Sequence, residues 1–137
     1  MMKIKDLINK MHRCLTSGRL EDPIKVASAC GLDASDARAT ITKLGAWAIV
    51  DLQMPGDIKI GMLMPDARNP RLKLIFPDGS KYKFRDVDTE MPSTATYYHS
   101  EDGKGFLATY AIGESQLVTL TVYNVDGLVQ SIEVCHS

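Results

Sequence analysis

The chain is expected to fold as α+β, with an N-terminal group of two or three short helices followed by a largely antiparallel meander sheet of about eight strands. Three observations predict this. Apolar residues recur at helical spacing through the first 45 residues, and from Ala46 onward they alternate instead. Asp-Gly pairs at 78–79, 102–103 and 126–127 return at a 24-residue interval. That interval is about the length of one strand, a turn, a strand back and a second turn. Outside the Asp-Gly pair the three segments share almost no residues, so the beat reads as sheet geometry rather than a repeat family.

The first helix is read from Ile4, Leu7, Ile8, Met11 and Leu15, which form one apolar stripe, with Lys3, Lys5, Asn9, Lys10 and Arg13 mostly off it. Ser17-Gly18 ends it. Asp22 suits an N-cap and Pro23 a first helical position, so a second helix is expected to run to Cys30 and close at Gly31. A third is expected over "LDASDARATITKLG", capped by Asp33 or Ser35, burying Ala37, Ile41 and Leu44, and stopping at Gly45.

"AWAIVDL" and "IKIGMLM" flank Pro55-Gly56, which fits the centre of a type II turn and predicts a first hairpin. The next hairpin is expected over 71–85 around Pro77-Asp78-Gly79. With a three-residue loop, Leu72, Leu74, Phe76, Tyr82 and Phe84 share one face, while Arg71, Lys73, Lys81, Lys83 and Arg85 share the other. A two-residue loop would mix the faces, so the apolar pattern selects the longer one. The same construction at Val125-Asp126-Gly127 sets Val122 against Gln130, Leu120 against Ile132 and Val118 against Val134. Between them "TATYYHS" and "GFLATYAI" form a further strand pair, with turns at 89–93 and 113–115.

At 137 residues, with 45% apolar and 24% charged residues, one domain is expected, helical over 1–45 and sheet over 46–137. The longest apolar run, "AWAIV", is too short to span a bilayer, and the N-terminus resembles neither a signal peptide nor an anchor. A cytoplasmic protein is the expectation. The three cysteines, Cys14, Cys30 and Cys135, are widely spaced and odd in number, which argues against a disulfide framework or zinc site. No P-loop, dinucleotide fingerprint, HExxH or nucleophile elbow occurs, so neither catalytic residues, a metal nor a cofactor is expected.

Charge is unevenly placed. The chain carries a net −1, but residues 67–85 have six Lys/Arg against one acid, and residues 86–137 have eight acids against one base. The five cations of the expected hairpin would repel across the strands, with Arg71 opposite Arg85 and Lys73 opposite Lys83. Solvent, an acidic strand of the same chain or an anionic partner would have to offset them. The acidic stretch "RDVDTEMPSTATYYHSED" places Asp86, Asp88, Glu90, Glu101 and Asp102 around Tyr97 and Tyr98. Acids speed encounter with a basic partner and aromatics supply contact energy, so these seven residues are the expected partner-binding surface.

Residues 25–44 resemble the helix-turn-helix of bacterial DNA-binding proteins: Ala27, then Gly31, Leu32 and Ala37 stand at matching positions, while Thr40 replaces a usual apolar residue. The resemblance implies a nucleic-acid-binding regulator, served by this segment or by the basic hairpin. Asp36 beside Arg38 and Lys43 disfavours phosphate contact. The favoured expectation is a non-enzymatic protein-binding module. At the level of class, the chain is similar to a bacterial toxin-neutralising immunity protein or enzyme inhibitor, one that occludes a basic cleft of its protein partner.

Overall fold

The computed structural model describes residues 3–17, 23–32, 38–44, 47–54, 58–65, 71–76, 80–90, 96–99, 105–112 and 118–136. They form an α+β fold. Helix α1 spans Ile4–Ser17 and buries the expected stripe, with Cys14 added to it. Five aliphatic and thioether side chains at roughly 2 kcal/mol each contribute about 10 kcal/mol before chain entropy, far more than propensity supplies to 14 residues. Helix α2 spans Pro23–Ala29, starting at the expected proline. Gly31 takes φ 84°, its N–H donates to the Ser28 carbonyl, and the Leu32 N–H reaches back to Ala27. That is a Schellman ending, and Leu32 packs against the core as such endings favour.

The expected third helix is not formed. Residues Arg38–Leu44 are strand β1, paired antiparallel with β2, Trp47–Met54. Thr40, Ile41 and Thr42 are β-branched and stiff at χ1, which favours extended backbone. The register sets Ile41 opposite Val50 and Ala39 opposite Leu52, and on β2 Val50 and Leu52 are buried. The sheet therefore begins at Arg38 rather than Ala46, and the helix-turn-helix reading of 25–44 fails at its second helix.

Strand β3, Ile58–Pro65, returns along β2 as the expected first hairpin, whose Pro55-Gly56 turn lies outside the described residues. Strand β4 is Arg71–Ile75, followed by helix α3, Phe84–Glu90, and strands β5, Thr96–His99, β6, Gly105–Ile112, β7, Val118–Val125, and β8, Leu128–His136. Among the described residues the strands form one antiparallel sheet in the order β1-β2-β3-β4-β8-β7-β6-β5. This corrects the simple meander: each half of the sheet is one, but β4 and β8 join them at the centre. Helix α1 lies against β4 and β8 and touches α2 and α3. Beneath the helices the core is built from Leu72, Leu74, Tyr110, Leu120, Val122, Ile132 and Val134.

The basic hairpin is the second correction. Strand β4 pairs with β3 and β8, not with 80–85. After the Phe76 N–H bonds the Gln130 carbonyl, residues 82–84 resume the same edge of β8. Val129 N–H donates to Tyr82 O at 2.9 Å, Lys83 bridges Leu128, and Phe84 N–H donates to Gly127 O at 2.8 Å. The chain then turns helical because Phe84 and Val87 are the apolar residues and stand three apart, one helical turn. A strand would have placed Asp86 and Asp88 on the face of Phe84.

The turn at Asp126-Gly127 has two residues, not three. Both have positive φ, 54° and 80°, as in a type I′ turn. Gln130 is then an extra residue on β8, a bulge that shifts the register between Tyr123 and Asn124. Beyond it Val122 meets Ile132 and Leu120 meets Val134. The expected register is thus displaced by two residues, an even slip that keeps the apolar face intact.

Candidate functional site

Of the seven acidic-surface residues, five fall on two described elements. Asp86 is exposed on α3, and positions 88 and 90 continue that helix. Asp86 lies in the first turn, where a carboxylate complements the helix dipole. Tyr97 and Tyr98 lie on β5, in register with Ala108 and Leu107 of β6. Glu101 and Asp102 lie outside the described residues.

One aromatic contact ties α3 to β6, the strand that pairs with β5. Phe84, at the start of α3, meets Phe106 edge-on, centroids 4.9 Å apart at 85°. Such pairs contribute about 1 kcal/mol beyond burial. Phe106 is also the register partner of His99 on β5. The acidic helix therefore starts beside the end of the tyrosine-bearing strand, and β5 stands at one end of the strand order. Val87 is buried and holds the other turn of α3 against the interior.

Phe106 is held in turn from β7. The Asn124 side chain is fully buried and its Nδ2 donates to the Phe106 carbonyl at 3.1 Å. Ser80 anchors the approach to α3: its hydroxyl donates to Val129 O at 2.6 Å and accepts the Tyr82 N–H at 3.2 Å. Tyr82 packs edge-on against Phe76 at 6.4 Å, and burial raises its phenol above the ordinary value. Neither Ser80 nor Asn124 was legible as a positioning residue. Each is a small polar residue in an alternating segment, which signals a turn or a strand end and nothing more.

The five cations do not share one face of a hairpin. Arg71 and Lys73 lie on β4 in the middle of the sheet, half-buried. Arg71 Nε is 3.6 Å from Glu133 Oε1 on β8, and Lys73 is the register partner of Glu133. An acid of the same chain thus offsets this half of the group. Lys81, Lys83 and Arg85 are exposed along the segment entering α3. The basic and acidic sets meet there, since Arg85 and Asp86 are successive residues of one helix.

Among the described residues no group of three His, Cys, Asp or Glu side chains is placed to hold a metal, and no helix is long and apolar enough to cross a membrane. Comparison with protein-family models, with curated proteins and with solved structures returns no match for this chain.

Proposed function

We propose that the chain is a non-enzymatic, cytoplasmic protein-binding module that works by occlusion, in the manner of a bacterial immunity protein or enzyme inhibitor. Helix α3 and strand β5 form its docking surface. The partner is a protein with a basic cleft. The observation that supports this reading is the Phe84–Phe106 contact, which packs the start of an acidic helix with an exposed Asp86 on β6, the strand paired with the β5 of Tyr97 and Tyr98. Complementary charge would steer the encounter, and tyrosines, with few rotatable bonds, would give contact area at low entropic cost. Glu101 and Asp102, four and five residues beyond Tyr97, extend the same negative stretch in sequence.

The test is capture from native lysate by immobilised chain, comparing wild type with Asp86→Lys/Asp88→Lys/Glu90→Lys and with Lys81→Glu/Lys83→Glu. Capture lost in the first variant and kept in the second supports the acidic dock. Equal capture by wild type and the first variant removes it. A second reading, a nucleic-acid contact through Lys81, Lys83 and Arg85, is favoured by the exposure of all three side chains. It requires a salt-sensitive shift of DNA or RNA that Lys81→Glu/Lys83→Glu abolishes. Absence of any shift at low salt removes that alternative.

A further inference from the structure

Two of the three cysteines meet inside the helical layer. Cys14 lies in the last turn of α1 and Cys30 directly follows α2. Their sulfurs are 3.9 Å apart, and the residues are 7% and 0% exposed. They stand 16 positions apart in the chain, so their meeting is a product of helix packing rather than of a local motif. Neither is in a disulfide in this structure. Nothing in the docking surface uses them.

We propose that Cys14 and Cys30 are a reversible disulfide site that staples α1 to α2 when the chain meets a low-molecular-weight disulfide. The sulfurs need to close by roughly 2 Å to reach the ~2.05 Å of an S–S bond. The shift falls within one helix–helix contact, between α1 and the short α2.

The exchange balances as follows. One cysteine loses its proton and attacks a sulfur of the small disulfide. That S–S bond breaks, and the first small thiol leaves, taking up a proton. The other cysteine then loses its proton and attacks the protein sulfur of the mixed disulfide, releasing the second small thiol. The two protein thiols give up two electrons and two protons, and the small disulfide takes them up.

Burial, with Cys14 alongside, holds the Cys30 thiol well above its ordinary value. The thiolate is therefore scarce in the closed fold, and a brief parting of α1 from α2 is the natural entry for the oxidant. A staple across this interface closes a loop from 14 to 30 and restricts the unfolded chain.

The experiment treats the full chain and its Cys135→Ser variant with oxidised glutathione, then alkylates, digests and maps the cysteines. Thermal unfolding is followed before and after. Expected is a bridged Cys14–Cys30 peptide in both proteins, with a mass lower by two hydrogens. Tm should rise on the order of 10 °C, and dithiothreitol should reverse it. Full alkylation of Cys14 and Cys30, a bridge that includes Cys135, a persistent glutathione adduct on either helix, or a bridged protein with lower Tm overturns the proposal. Because the map is read on wild type as well, it stands even if the variant folds poorly.

Discussion

Replacing Ser80 with alanine removes one oxygen and two hydrogen bonds. The hydroxyl donates to Val129 O at 2.6 Å and accepts the Tyr82 N–H at 3.2 Å. The site is half-buried, so water replaces these partners only in part. At about 1 kcal/mol for each bond, Ser80→Ala should cost roughly 2 kcal/mol. For two-state unfolding of 137 residues that lowers Tm by about 7 °C. The loss should also be local, because Ser80 fastens the stretch that resumes the β8 edge. Amide exchange should quicken at Val129 and Phe84, whose N–H groups bond Tyr82 O and Gly127 O, and stay slow at Leu7 and Ile8 in α1. Urea unfolding and amide exchange by NMR read both effects. A change below about 0.5 kcal/mol with unaltered exchange at Val129 would refute the idea that Ser80 secures this segment.

A pair of glycine substitutions separates crowding from backbone conformation. A methyl group at Gly105 would collide with the Asn124 carbonyl oxygen and stand 2.9 Å from Val125 Cγ2, so Gly105→Ala should cost about 1–3 kcal/mol by overpacking. A methyl at Gly127 meets nothing within 4 Å, yet its φ of 80° makes Gly127→Ala cost about 1–2 kcal/mol. Enlarging each further to valine in chemical-denaturation series should worsen the first steeply. Tyr82 sets an alkaline limit: burial raises its folded pKa above the unfolded value, so its stabilisation is complete below pH ~10 and declines as pH climbs beyond it. Tyr82→Phe should therefore flatten the fall in stability above pH ~10, and identical alkaline limbs for both proteins would rule that out.

The sequence carried most of the elements and little of their connection. The α1 stripe, the start of α2 at Pro23 and its stop at Gly31 all follow from local rules, and local rules sufficed because each is decided within a few residues. The segment 38–44 was misread because Ala37, Ile41 and Leu44 satisfy a helical spacing while Thr40-Ile41-Thr42 favour a strand. Its pairing with β2 settled the matter, and pairing is not a local property. At 80–90 the alternation of Tyr82 and Phe84 extended a strand pattern one step too far. The three-residue spacing of Phe84 and Val87 was the competing helical signal, and it prevailed. The turn at 126–127 shows a third route to error. The apolar face demanded an even shift, and a bulge at Gln130 met that demand where a longer loop was expected.

For the candidate site, the acids and tyrosines could be named from composition, but the packing of α3 on β6, the neighbour of β5, could not. It depends on Phe84 reaching Phe106 across 22 residues of chain. The beat of Asp-Gly pairs survives in altered form. Phe76, Gly105 and the 126–127 turn lie at one end of the sheet, as the Phe76 bond to Gln130 and the pairing of Gly105 with Val125 require.

The strand order also bears on how quickly the chain can fold. Strands β1 to β4 pair as successive neighbours, and so do β5 to β8, so each ladder can zip from its own turns. Among the described residues the two ladders join along β4 and β8, from Arg71 opposite Cys135 to Ile75 opposite Ser131, partners 64 and 56 residues apart. Closing so large a loop costs entropy before any contact rewards it. The central β4–β8 seam is therefore the natural bottleneck, and Leu74→Ala, which thins that seam, should slow refolding more than an equal loss within either ladder.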